Sequence, residues 1–290
     1  MKSQIAQTMK GSIEYTLQGH GPVLLVCHGT SENCYSGGSL APLLNAGFSL
    51  LTISRPGYGR TPSDVGRSNT EAADSLVALL DHLEIPQCSV IAISGGGPTG
   101  VALAANYPER VNSLVLIAAN TYTENRQNDP GYQSQKAFYG PLHGLFWNIL
   151  RLFSILSPRR TALQSLAIFS THNPKDTMSR LSSEDIRTLC HFFHGHSSRE
   201  SALNDLTHVV TRELMQKVLS PTLITHSRED ASIPFHHAEW SLEHIPIARL
   251  CETGFTGYFY WIGPDYQRIC KSMVDFLRTD VVQTGQVFRS

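Results

Sequence analysis

The sequence predicts an α/β protein: a mostly parallel sheet flanked by helices, with a helical cap inserted late in the chain. Two observations carry that expectation. Short apolar, β-rich runs alternate with helical patterns: VLLVC at 23–27, FSLLTI at 48–53, SVIAI at 89–93, SLVLIA at 113–118 and PTLIT at 221–225. Strands covered by helices on both faces read as such continuous runs, because every side chain meets an apolar neighbour. The alternation then fails between Asn120 and Pro221, where only helical segments are found. The expected organisation is therefore a core of 1–120 and 220–290 with a cap of 121–219.

Each element has its own signal. Residues 70–83 place Ala73, Leu76, Val77, Leu80 and Leu83 on one helical face, and Ser68 with Glu71 forms a capping-box pattern at the start. A final helix over about 265–277 repeats the pattern with Tyr266, Ile269, Cys270, Met273, Val274 and Leu277, and the tail after Thr279 reads as loosely held. In the cap, LFWNILRLFSIL at 145–156 carries only Asn148, Arg151 and Ser154 as polar residues. A helix so apolar around its circumference is expected to be buried on several sides or to line a cavity. Phe146, Trp147 and Leu150 are its candidate substrate contacts.

Composition narrows the function. The chain of 290 residues, 41% of them apolar, can bury a sizeable core. Twenty-three basic and twenty-four acidic residues give a net charge of -1, without the basic footprint of a nucleic-acid or anionic-membrane binder. No apolar run is long enough to span a membrane, and the first twenty residues lack the apolar stretch of a secretory signal, so a cytoplasmic location is expected. Six dispersed cysteines without a CxxC pair read as reduced, mostly buried thiols. Neither a metal nor a cofactor is expected, and the expected partner is a small, apolar, acyl-containing substrate or ligand.

The chemistry begins at SVIAISGGGPTG, where a strand runs into Ser94 and directly into a helix. A serine at such a corner is lifted off the sheet edge, and the tight turn demands small residues at Ala92 and Gly96. Gly95 can aim its backbone N–H at an oxyanion from the helix N-terminus. Gly95, Gly97 and Gly100 also satisfy G-x-G-x-x-G, but the acidic residue expected after the next strand is missing, because that strand ends IAAN at 117–120. A second loop, HGT at 28–30, follows a strand and makes Thr30 the candidate second N–H donor; His28 and Arg55 read as structural. Asp230 in HSREDASIP is a candidate acid that could alternatively cap the following helix.

Taken in order, HGT at 28–30, RPGYGRT at 55–61, AISGG at 92–96, YPERV at 107–111 and HSREDASIP at 226–234 resemble the motifs of the α/β-hydrolase family. The resemblance covers about residues 11–280. It implies an eight-stranded, mostly parallel sheet with an inserted helical cap, and an ester- or lactone-cleaving serine enzyme. Ser94 would be the nucleophile, Thr30 and Gly95 the oxyanion hole, and Asp230 the acid, with Ser227 where the family usually has glycine. The departure is at GFTGYFYWIGPDY, where Tyr258 fills the histidine position and no histidine follows His244.

That departure removes the general base. A serine hydroxyl needs a neighbouring base to take its proton, whereas a phenol titrates near ten and is a poor acceptor at neutral pH. Losing the base of a comparable triad costs roughly a millionfold in turnover. Four explanations stay open: a substituted hydrolase, a non-catalytic ligand-binding relative, a lyase- or epimerase-type site using Tyr258 as an acid, or a histidine swung in from HFFHGH at 191–196, His143 or His172.

Overall fold

The computed structural model describes residues 2–122, 126–128, 132–133, 136, 139–141, 143–194 and 199–284, and for Arg126, Arg199 and 280–284 the backbone alone. Eight strands form one sheet: β1 (Gln4–Thr8), β2 (Gly11–Gln18), β3 (Val23–Cys27), β4 (Ser49–Ile53), β5 (Cys88–Ile93), β6 (Val111–Ile117), β7 (Thr222–His226) and β8 (Ala248–Glu252). Their spatial order is β1-β2-β4-β3-β5-β6-β7-β8. The β1–β2 and β2–β4 pairs are antiparallel, and every other pair is parallel.

The five apolar runs of the sequence are β3 to β7, and their successive side chains point to opposite faces. Leu25, Leu51, Val90 and Leu114 join α2 (Asn69–His82) and α3 (Gly97–Asn106) in one apolar layer. Leu24, Leu50, Ile91 and Val115 join α1 (Ala41–Asn45) and the C-terminal helix in the other. Strands β1, β2 and β8 have no such signature. β8 is an edge strand with no fully buried residue, so its sequence ARLCE needs no apolar run.

Between the neighbouring strands β6 and β7 the described residues form helices and no strand: α4 (His143–Leu156), α5 (Pro158–Phe169), α6 (Pro174–Ser179), α7 (Ser183–Phe192), α8 (Arg199–Asp205) and α9 (Arg212–Gln216). Helices α4, α5 and α7 share an apolar cluster, with Trp147, Leu166, Leu189 and Phe193 packed on Phe259 and Ile262 of the loop after β8, whereas Met215 of α9 packs in the layer of α2 and α3. After β7 come α10 (His236–His244) and α11 (Tyr266–Thr284). α11 runs past the expected end near 277 and through Thr279, while residues 285–290 of the expected loose tail lie outside the described residues. All six cysteines are free thiols, five of them buried.

Two local expectations are corrected. Ser68 caps α2 by accepting the Glu71 N–H at 3.2 Å, but the Glu71 carboxylate turns to the backbone N–H of Arg67, so half of the capping box forms. More significantly, α4 is not buried on several sides: it buries His143, Trp147 and Ser154 and leaves Leu145, Leu152, Ile155 and Leu156 more than half exposed.

Candidate active site

The parallel strands deliver Thr30, Ser94, Asp230 and Tyr258 to one edge of the sheet, beyond their C-terminal ends, which is where open α/β sheets bind ligands. Ser94 follows β5 with φ of 48°, in the left-handed region that costs a non-glycine residue energy. A tight 3-10 turn over Ser94–Gly96 then opens α3. The turn tolerates no bulk. A Cβ on Gly96 would lie 2.3 Å from the Cys27 carbonyl oxygen, and one on Gly100 would lie 2.5 Å from the Ala92 Cβ. The glycine repeat therefore serves helix-on-strand packing here.

Thr30, in the loop after β3, meets Gly95 directly: a Cβ on Gly95 would fall 2.1 Å from the Thr30 hydroxyl. That hydroxyl donates to Asp205 Oδ2 at 2.8 Å. Asp205, at the end of α8, also receives both terminal nitrogens of Arg55, at 2.6 and 2.7 Å, and the Tyr58 hydroxyl at 2.8 Å. Burial alone would raise this carboxyl, but the Arg55 guanidinium overcomes that and holds it below the usual carboxylate range. Arg55 Nε in turn donates to the His28 carbonyl at 2.8 Å. His28 is buried, its Nε2 accepts from the Arg55 backbone N–H at 3.1 Å, and burial pushes its pKa down to about 3. Through these contacts the two residues, together with Asp205, pin the HGT loop to the helical segment.

Asp230 stands in the loop after β7 and is 3% exposed. Its Oδ1 accepts the backbone N–H groups of Ser232 and Ile233, both at 2.8 Å. Its Oδ2 is buried without a hydrogen-bond partner, with His226 Nε2 at 3.7 Å already engaged by the Ile233 carbonyl at 2.8 Å. The helix-capping alternative fails, since α10 starts after Phe235 with no side-chain cap. Burial pushes the Asp230 carboxyl up to about 8 against the pull of the two amides.

A pH dependence follows. Because the folded-state value lies above the unfolded value of about 4, the folded form keeps a proton that the unfolded form releases. The contribution of Asp230 to stability is greatest below pH 4 and is lost as pH rises to 8. Asp230→Asn cannot ionise and keeps an oxygen for the two amides. Its melting temperature relative to the parent is expected to climb between pH 5 and pH 8.5; a pH-independent difference in paired thermal melts would contradict the assignment.

Tyr258 follows β8, after Gly257, whose φ of 62° and contact with backbone oxygens exclude a side chain there. It is 6% exposed and ringed by Phe169, Phe192, Phe259 and Trp261 at centroid distances of 5.8 to 6.3 Å. Its hydroxyl lies beside the Ser94 side chain, and burial raises its pKa well above the ordinary phenol value. It makes no hydrogen bond to Asp230.

Asp205 escaped the sequence reading, and so did Glu32. Glu32 accepts the Gly29 N–H at 2.8 Å, and burial pushes its carboxyl up to about 7. Glu32 Oε2, the Tyr258 hydroxyl and the Ser94 Cβ all lie within 3.4 Å of the point where a Gly29 Cβ would sit. No spacing rule marks a lone glutamate two residues after Thr30, so only the folded loop reveals it. The histidines behave otherwise. His191 and His194 line the larger cavity but not the Ser94 cavity, His194 meets Ser154 at 3.1 Å, His172 meets Thr177 at 2.9 Å, and His143 is buried against Tyr139 and Trp147. His196 lies outside the described residues.

Tyr258 and Phe192 border two cavities. The smaller, about 150 Å³, is lined by Ser94, Thr30, Trp147, Ile168 and Phe169 among others. The larger, about 700 Å³, holds Glu32, Tyr260 and Trp261. Of the three expected α4 contacts, Trp147 lines the smaller cavity, Leu150 packs in the apolar cluster, and Phe146 is exposed. Among the described residues no cluster of three or more His, Cys, Asp or Glu is placed to hold a metal ion.

Comparison with known proteins agrees with this architecture. The family model described as "alpha/beta hydrolase fold" matches residues 22–253. The chain belongs to the α/β-hydrolase family. An uncharacterized hydrolase of Bacillus subtilis, YcgS, is 34% identical, covering 93% of this chain and 96% of its own. The pimeloyl-[acyl-carrier protein] methyl ester esterase of Aeromonas hydrophila is 25% identical, covering 80% and 86% respectively. An α/β-hydrolase fold protein from Nakamurella multipartita superposes with a TM-score of 0.79 at 22% identity, covering 96% of this chain and 99% of that one.

Proposed function

We propose that this α/β-hydrolase carries the machinery to cleave an ester, lactone or similar acyl bond of a fairly apolar small molecule, with turnover suppressed by Tyr258. The observation that carries the reading is the unpartnered Asp230 Oδ2. A carboxyl group with one oxygen fixed by two amides and the other orphaned is prepared to ionise against a donor, and an imidazole N–H from position 258 is the donor that a serine triad uses. Ser94 would attack the acyl carbon, and the Thr30 and Gly95 amides would hold the oxyanion. The helices between β6 and β7 act as the cap, and Trp147, Ile168 and Phe169 give the acyl pocket its apolar walls. The relatives named hydrolase and methyl ester esterase favour the same bond type. With Tyr258 in place, the phenol beside Ser94 can donate a proton but accepts one poorly.

The direct test compares the parent with Tyr258→His on aryl esters and lactones, with a fluorophosphonate probe reporting on Ser94. Gain of turnover supports the reading; an inert Tyr258→His that still folds removes it.

Glu32 favours a second reading. A carboxyl titrating near neutrality beside the Tyr258 phenol is an acid–base pair, suited to a lyase- or epimerase-type step whose enolate the oxyanion hole would stabilise. In that case the parent is active, and both Glu32→Gln and Tyr258→Phe abolish activity while Ser94→Ala does not.

A further inference from the structure

The most anomalous surface of the molecule is the outer face of α4. Leu145, Ile149, Leu152 and Leu156 recur at i, i+4, i+7 and i+11, a single stripe on a helix, and Phe153 and Ile155 widen it. These side chains are 43 to 67% exposed, although most leucine and isoleucine side chains among the described residues are buried. Contiguous apolar surface of this kind marks a binding face.

The charge around it indicates what it binds. From Pro130 to Lys175 the sequence contains no aspartate or glutamate, whereas Arg151, Arg159 and Arg160 fall within it. The overall net charge of -1 conceals this local excess. Arg159 and Arg160 are exposed and follow directly on the last turn of α4. An apolar helix face bordered by arginines is the pattern of a helix lying in the plane of a bilayer interface, and anionic headgroups add attraction to the basic residues. A second copy of the chain presenting this face would offer those arginines no carboxylate from the same stretch. No helix among the described residues is long and apolar enough to cross a membrane, so contact of this kind would be peripheral.

We propose that the α4 face seats this protein on an anionic lipid bilayer, its leucines in the headgroup–acyl boundary and Arg159 and Arg160 against lipid phosphates. The arrangement also bears on access to the site. Ile168, on the adjoining α5, is 53% exposed and lines the Ser94 cavity, so the lipid face and the entrance to the site share one pair of helices. The inference does not depend on which reaction the site performs.

The experiment is co-sedimentation of the full-length protein with extruded vesicles, either phosphatidylcholine alone or phosphatidylcholine with one-third phosphatidylglycerol, at low and high salt. Binding is expected to the anionic vesicles and to weaken with salt. The double variant Leu152→Glu/Leu156→Glu is expected to lower affinity at least tenfold with an unchanged melting temperature, because both side chains are already exposed. Arg159→Glu or Arg160→Glu should each lower it about fivefold at low salt. Absence of sedimentation with the anionic vesicles would overturn the proposal, as would binding indifferent to Leu152→Glu/Leu156→Glu. So would a stable dimer in solution that the same double variant disperses.

Discussion

Tyr258→His is expected to raise turnover on aryl esters by roughly 10³- to 10⁶-fold. The upper bound is the cost of deleting the base from a comparable serine triad, and the lower bound allows for imperfect placement of the new ring. The geometry favours a large gain because nothing else need move. The backbone N–H of Tyr258 is held by the Phe169 carbonyl at 3.1 Å, which fixes where the side chain starts, and Gly257 fixes the approach. An imidazole there is smaller than the phenol and would relieve crowding in the 150 Å³ cavity. Its Nδ1–H would meet the vacant Oδ2 of Asp230, and its Nε2 would face the Ser94 side chain beside which the Tyr258 hydroxyl now lies. Pairing would also ionise Asp230, so the variant should lose the alkaline instability that its raised pKa brings. Steady-state kinetics together with thermal melts at two pH values check both consequences. Unchanged turnover in a folded variant that still reacts with fluorophosphonate would show that the base is not what the site lacks.

Much of this was legible in the chain because burial writes itself into composition. Strands β3 to β7 are covered on both faces, so their residues are mostly apolar, and the elbow at Ser94 must have small neighbours because β3 and α3 press on it. The parts that stayed hidden answer to different physics. β1, β2 and β8 lie at or near the sheet edges, where partly exposed residues erase the apolar run. The α4 segment was read as buried on several sides or lining a cavity because its pattern is apolar all round; Trp147 does line a cavity, but sequence periodicity cannot tell which part of such a face packs and which is exposed. Glu32 and Asp205 are single carboxylates whose importance comes from contacts 3 residues and 150 residues away along the chain. The buried Arg55 could have prompted a search for Asp205, since a fully buried guanidinium requires a carboxylate. No comparable demand pointed to Glu32.

Asp205→Ala is expected to be the most destabilising single change in the molecule, at about 3–5 kcal/mol. The argument rests on what is left behind. Arg55 is 1% exposed, and its two terminal nitrogens would lose their only carboxylate among the described residues while remaining charged at any accessible pH. The Tyr58 and Thr30 hydroxyls would lose the same acceptor. For a chain of this size each kcal/mol lowers the melting temperature by about 2–4 °C, so the drop should reach roughly 6–20 °C. The double variant Asp205→Leu/Arg55→Met removes both charges together and should recover most of that loss, because an apolar pair of similar volume often replaces a buried ion pair at little net cost. Stability and function then separate. In the double variant the Thr30 hydroxyl still lacks Asp205, and the HGT loop is no longer tied to α8. In a Tyr258→His background the double variant should therefore fold yet turn over slowly, with kcat falling more than KM rises, since the oxyanion amide of Thr30 acts only as charge develops in the transition state. A double variant with full kcat would mean that Thr30 is positioned by the backbone of its own loop and that the Arg55–Asp205 pair serves the fold alone.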